Sequence, residues 1–300
     1  MRAIEATGIS KAFGATQALA GVDLAVDPGE ILCLLGANGA GKTTMIRILT
    51  TLLRPDAGEI IIHGVDARRA PARARAMFSL TGQFAAVDEM LTGRENLMLI
   101  ARLLHMKKPR AIADELLERF SLTAAANRRA GAYSGGMRRR LDIAMGLVSR
   151  PKVMFMDEPT AGLDPESRLK LWDIVRALRA DGAAVLLTTQ HLEEADMLAD
   201  AVAVLAGGKI VAQGTAQSLK ARFARGSIEV GFRDAACCAA ACERLAGFDM
   251  RADGARLIIY TDGGAQMSGE ALRALADAGV VYFDVRRASL EDAFLNIIGA

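Results

Sequence analysis

The sequence predicts an α/β protein built on a mainly parallel sheet and joined to a smaller α+β domain. Three observations lead there. Short apolar runs alternate with amphipathic stretches of helical period between residues 153 and 205, the pattern of parallel strands covered on both faces. A glycine-rich turn separates the apolar run Ile31–Leu35 from an apolar helix. After Gly214 the order changes to strand, helix, strand, strand, helix, strand, which is the ferredoxin-like arrangement.

Taken in order, residues 1–64 read as short strands at 3–9, 22–26, 31–35 and 59–63, interrupted by the glycine turn and a helix at 43–53. From about 84 to 132 the period becomes helical, and Thr92 with Glu95 form a capping box ahead of Leu97, Leu99 and Ile100. A helix at about 138–148 follows, with Leu141, Ala144, Met145 and Val148 on one face. Alternation then returns: strand 153–156, helix 165–180 stopped by Asp181-Gly182, strand 184–188, helix 192–199 and strand 201–205. The last part reads as strand 227–232, helix 235–245, strands near 249 and at 257–261, helix 269–278, strand 280–285 and an amphipathic helix 290–298.

Composition excludes some functions. With 37 Lys and Arg against 35 Asp and Glu, the chain lacks the broad basic surface that nonspecific nucleic-acid binding requires, so nucleic acid is not an expected partner. No apolar run approaches the roughly 20 residues that cross a bilayer. The first residues, Met1-Arg2-Ala3-Ile4-Glu5, carry an acid and no long apolar region, so a cytoplasmic protein without a secretory signal is expected. Cys238 and Cys242 would share a helix face beside Cys237, but no His or second Cys pair is near to complete a metal site. Together with Cys33 they read as small apolar residues in a reducing compartment.

Three segments carry chemistry. Gly36-Ala37-Asn38-Gly39-Ala40-Gly41-Lys42-Thr43 fits G-x-x-x-x-G-K-[ST] between a strand and a helix, the context in which backbone N–H groups and a helix dipole cradle phosphates. Lys42 is then expected on the β- and γ-phosphates, Thr43 on Mg²⁺, and Thr44 beside them. Apolar residues 153–156 deliver Asp157 and Glu158 to a strand's carboxyl end, where α/β sheets bind ligands. Asp157 suits Mg²⁺ and Glu158 suits the attacking water, although an Asp-Glu pair can also be a plain exposed strand end. Ser134, Gly135 and Gly136 open a helix and form a second anion-binding terminus, or a plain N-cap. One γ-phosphate does not need two such termini from one protomer, so this one is expected to face the nucleotide of a second molecule.

Together, residues 36–43, Ser134-Gly135-Gly136, residues 153–158, Ala161-Gly162-Leu163-Asp164 and His191 resemble the ATP-binding subunits of ABC transporters. The resemblance covers residues 1–214, with Tyr133, Met137 and Ser289-Leu290-Glu291-Asp292-Ala293-Phe294 resembling the daunorubicin resistance branch. It implies a P-loop NTPase cassette at 1–214, with an antiparallel β subdomain and a helical insert at about 84–150; the element order after Gly214 adds a ferredoxin-like accessory domain at 215–300. The resemblance further implies Phe13 on adenine, Gln83 sensing Mg²⁺ and the attacking water, His191 at the γ-phosphate and Glu158, and Asp164 in the loop linking two sites. The alternative for Phe13 is a loop aromatic covering the core, and Asp164 also reads as the N-cap of the helix at Pro165. Tyr133 and Met137 depart from the usual leucine and glutamine of the signature.

The implied cofactors are ATP and Mg²⁺. The implied partners are a second copy in an ATP-sandwich homodimer and a separate multi-span permease, with the chain peripheral on the cytoplasmic face of the inner membrane. The implied activity is ATP hydrolysis energising export of a drug-like or amphiphilic substrate. A soluble non-transport ABC ATPase acting in translation or DNA repair is the alternative.

Overall fold

The computed structural model describes residues 1–82, 86–261, 265–276 and 278–299, and the chain divides into two compact units, Met1–Gln213 and Gly214–Ala300. In the first unit, β1 (Ile4–Phe13) and β2 (Thr16–Val26) form a long antiparallel hairpin with Phe13 opposite Thr16. β3 (Ile31–Leu35) leads into α1 (Lys42–Leu49), followed by β4 (Ala57–Ile62), β5 (Val65–Asp66), α2 (Pro71–Arg75) and β6 (Phe78–Thr81). The helical part comprises α3 (Gly93–Leu103), α4 (Pro109–Arg119) and α5 (Gly135–Gly146). β7 (Val153–Asp157), α6 (Pro165–Ala180), β8 (Ala184–Thr189), α7 (Leu192–Leu198), β9 (Ala201–Ala206) and β10 (Lys209–Gly214) complete the unit.

Two sheets result. The antiparallel one runs β2-β1-β4-β5, and the six-stranded one runs β10-β9-β3-β8-β7-β6 with parallel pairing from β9 through to β6. Every residue of β3, β7 and β8 is buried, which is why these strands are uniformly apolar up to their last residues. Alternate residues serve opposite faces. Leu32, Leu34, Val153, Phe155 and Leu186 join one core with Met45, Ile46, Ile48 and Leu49 of α1 and with Ile4, Ile9, Leu24 and Ile62 of the antiparallel sheet. α1 is therefore held by apolar contacts along its length, leaving its N-terminus to point at whatever lies beyond β3.

In the helical part, the capping box at Thr92 is complete: the Glu95 N–H donates to Thr92 Oγ1 and the Thr92 N–H to Glu95 Oε2, at 3.2 and 2.8 Å. Asn96, buried, accepts from the Asp88 N–H and donates to the Asp88 and Thr92 carbonyls, tying the preceding loop to α3. The second unit contains α8 (Ala216–Phe223), β11 (Gly226–Phe232), α9 (Ala235–Arg244), β12 (Met250–Asp253), β13 (Arg256–Thr261), α10 (Ala265–Ala274), β14 (Val280–Arg286) and α11 (Leu290–Gly299). Its antiparallel sheet has the order β12-β13-β11-β14, the order of a βαββαβ split unit. The core is Ile228, Val230, Leu257 and Ile259 against Cys238, Ala241 and Leu245, so Cys238 is a packing residue, while Cys237 and Cys242 lie at its edge.

Several boundaries differ from the sequence reading. α1 stops at Leu49 rather than 53, because Thr51 turns left-handed (φ 61) and the Arg47 carbonyl takes both the Leu52 and Leu53 N–H groups. α5 begins at Gly135 rather than 138, since Ser134 caps it by accepting from the Met137 N–H. α10 starts at residue 265 rather than 269: Gly269 lies inside the helix, its carbonyl accepting from Arg273 Nε at 3.1 Å. β5, β6, β10, α2 and α8 were not expected. β6 is too short for periodicity to reveal and is set by pairing with β7.

Phe155 is fully buried in β7 and meets Phe78 edge to face, with centroids 5.3 Å apart. Phe155→Ala should lower unfolding free energy by about 3–5 kcal/mol, the usual cost of such a cavity, as measured by urea denaturation.

Candidate functional site

The loop between β3 and α1 is shaped by its glycines. A Cβ on Gly41 would sit 2.6 Å from the Ala18 carbonyl oxygen, and its φ of 110° is closed to side-chain-bearing residues. Gly39 also has positive φ, 82°, but faces open space, so there the requirement is conformational alone. Residues 37–39 are exposed while Gly36 and Lys42 are buried, giving an open rim over a closed floor. Lys42 Nζ donates to the Gly36 and Ala37 carbonyls at 2.8 and 3.2 Å and pairs with Glu158 Oε1 at 3.4 Å. Only 5% of Lys42 is exposed, so these oxygens replace the water its charge would otherwise require. Thr43 and Thr44, the first residues after the lysine, are exposed and half-buried.

The acids arrive on β7, separated from β3 by β8 alone. Thr188 Oγ1 donates to Asp157 Oδ1 at 2.6 Å, and Thr43 Oγ1 reaches the same oxygen at 3.4 Å. The Glu158 N–H donates to the Thr188 carbonyl and to Thr188 Oγ1, both at 3.1 Å. Glu158 has φ 46, left-handed for a residue with a side chain. Thr43 and Asp157 thus present a hydroxyl and a carboxylate oxygen side by side, hard donors of the type that Mg²⁺ accepts. A lysine, two acids and a helix N-terminus thus converge at the carboxyl ends of β3 and β7.

At the start of α5, Ser134 and Gly135 are exposed and the helix N-terminus is open. Gly136 is buried against α6, where a Cβ would meet Ser167 Oγ at 2.2 Å. Asp164 caps α6, accepting from the Ser167 N–H at 2.9 Å and Oγ at 2.7 Å, and these bonds hold its carboxyl below the usual range. The two departures from the usual signature share one neighbour. Tyr133 donates to the Ala125 carbonyl at 2.7 Å and lies under the Arg128 guanidinium at 5.3 Å, while Arg128 Nη2 is 3.5 Å from Met137 Sδ.

Of the remaining expected residues, Phe13 stands half exposed at the end of β1 with the Lys11 ammonium 5.6 Å from its ring centre. His191 caps α7, its N–H donating to Thr189 Oγ1 at 2.9 Å and its side chain exposed. Gln83 lies outside the described residues.

Three participants were missed. Thr188 ends an apolar run, and that polar terminus was its signal. Arg139 and Asp142, both buried, pair at 3.4 Å beneath the site. Burial pushes the Arg139 guanidinium down and the Asp142 carboxyl up, and each charge opposes the other's shift. Within the run Arg138-Arg139-Arg140 nothing in the sequence marks which arginine turns inward. A cavity of about 610 Å³ lined by His63, Glu115, Arg119 and Lys152 lies at the opposite end of β7, away from these groups.

The pattern described as ABC transporter matches residues 19–161. The chain is 47% identical over 304 residues to a daunorubicin resistance ATP-binding protein of Streptomyces coeruleorubidus, covering 99% of this chain and 96% of that one. Among solved structures it resembles an ATP-binding subunit of an ABC transporter, at 30% identity and TM-score 0.66 over 73% of this chain and 92% of that one. It also resembles a dimeric post-hydrolysis ATP-binding cassette bound to ADP and Pi, at 25% identity and TM-score 0.63 over 71% of this chain and 98% of that one. With a relative of this identity along nearly its whole length, and the family pattern spanning the phosphate loop, the Ser134 terminus and the strand-end acids, the chain belongs to the ABC transporter family as one of its ATP-binding cassettes.

Proposed function

We propose that two copies of this chain enclose MgATP between them and that hydrolysis drives export of a drug-like or amphiphilic compound through a separate multi-span membrane subunit. The chain works peripherally at the cytoplasmic face of the inner membrane. The observation that carries the reading is the convergence of Lys42, Thr43, Asp157 and Glu158 at the carboxyl ends of β3 and β7, on either side of β8. Export of a drug-like compound is supported by the resistance named for the relative. Among the described residues no helix is long and apolar enough to cross a membrane, which accords with a borrowed membrane subunit.

Lys42 is held by Glu158 and two loop carbonyls. A triphosphate carries more charge than one carboxylate, so it draws the ammonium to its β- and γ-oxygens and releases Glu158 to orient and deprotonate the attacking water. Residues 36–44 wrap the phosphates and Phe13 stacks on adenine. Thr43 and Asp157 would hold Mg²⁺, with Gln83 beside it, and the ion supplies charge neutralisation at the phosphates. His191 donates toward the γ-phosphate. The Ser134-Gly135-Gly136 terminus covers the partner's nucleotide, supported by the exposure of Ser134 and Gly135 and by the dimeric neighbour, and Asp164 lies in the loop linking the two sites. Closure then moves the membrane subunit as a ligand-biased two-state switch.

Glu158→Gln should retain ATP binding, lose at least a hundredfold in turnover and accumulate an ATP-bound dimer, read by phosphate release and light scattering; normal turnover would remove Glu158 from the base role. Lys42→Ala should weaken ATP binding itself, by about tenfold or more given the roughly 1.5–3 kcal/mol of a charge-assisted hydrogen bond, in a fluorescent-nucleotide titration. Gly135→Arg should bind ATP as a monomer yet fail to dimerise, and a stable ATP-bound dimer of that variant would remove Gly135 from the lid.

A further inference from the structure

Glu158 occupies a left-handed backbone conformation, φ 46, that side-chain-bearing residues rarely adopt, so its surroundings must hold it there. On one side Thr188 accepts the Glu158 N–H with both its carbonyl and its hydroxyl. On the other side stands Arg139 of α5. Its Nη2 donates to the Asp157 carbonyl at 3.4 Å and its Nε to the Pro159 carbonyl at 2.9 Å, the peptide oxygens of the residues immediately before and after Glu158. The same guanidinium donates through Nη1 to the Gly82 carbonyl at 2.5 Å and pairs with Asp142, whose other oxygen accepts from the Ala86 N–H at 2.9 Å.

A cation only 6% exposed is costly, and a planar fork of five donors is the side chain that can meet several carbonyls at once. We propose that Arg139 is a positioning residue for hydrolysis, clamping the backbone on both sides of Glu158 so that its carboxylate is aimed at the attacking water. This rests on Glu158 acting as the base. Arg139 lies on the helix that opens with Ser134 and Gly135, so the same side chain connects the lid offered to a partner's nucleotide with the base at the chain's own site. Asp142 serves the clamp by neutralising the buried cation.

The test measures steady-state ATP turnover and ATP-dependent dimer formation by the full-length chain. Arg139→Met combined with Asp142→Asn removes both buried charges together and leaves an amide oxygen to accept from Ala86. Its kcat should fall at least tenfold while KM for ATP stays within twofold and the ATP-bound dimer still forms. Arg139→Lys keeps the buried charge pair but replaces the fork with one nitrogen, and its kcat should fall in the same direction by less; it carries the test alone where the double variant does not fold. Wild-type kcat per folded molecule, or a change confined to KM or thermal stability, overturns the proposal. Glu158→Gln run in parallel separates the two readings: full turnover there defeats the base assignment, whereas an inactive Glu158→Gln beside fully active Arg139 variants defeats the clamp alone.

Discussion

The site is organised around a buried ammonium that must be neutralised. Lys42 has its charge beneath the phosphate loop, almost without solvent, and its partners are two loop carbonyls and Glu158. Those partners come from strands that are not adjacent. β3 supplies the loop, β7 supplies the acids, and β8 between them supplies Thr188, which bonds Asp157 and the Glu158 backbone together. The parallel register of three buried strands therefore sets the distance between Lys42 and Glu158. That register is in turn enforced by close packing of the apolar side chains on both faces, because a slip of one residue would set side chains of the wrong volume into each core.

Around this centre the polar groups are arranged in chains of contact rather than as isolated pairs. Arg128 touches both Tyr133 and Met137, so the two departures from the usual signature are one local solution: a hydroxyl anchored on Ala125 and a thioether against the same guanidinium. Gly136 allows α5 to approach Ser167, which Asp164 holds in the cap of α6. The helix whose N-terminus is exposed is thus joined on one flank to the loop containing Asp164 and on its buried flank, through Arg139, to the strand end that carries Glu158. An open helix terminus connected in this way to the acids suits a site whose other half arrives on a second molecule.

Legibility in the sequence followed the length and periodicity of each signal. The strands that form the middle of the six-stranded sheet were readable because burial on both faces leaves uninterrupted apolar runs bounded by turn residues. Helix ends were less readable wherever apolar residues continued past the true stop, as at Leu52 and Leu53, or where a glycine sat inside the helix, as at Gly269. β6 was invisible: four residues carry no period, and only the free edge of β7 makes them a strand.

The sequence by itself determined the phosphate loop, the two acids and the glycine-led helix terminus, because each is a local device in which backbone geometry and residue type act within a few consecutive positions. Tertiary structure alone decided that Lys42 meets Glu158, that Thr188 bridges the acids, and that Arg139 rather than Arg138 or Arg140 is driven inward to the peptide oxygens flanking Glu158. Those choices depend on which strands become neighbours and which helix face is buried. Both are set by the summed apolar contacts of the whole core, and no local stretch of sequence records them.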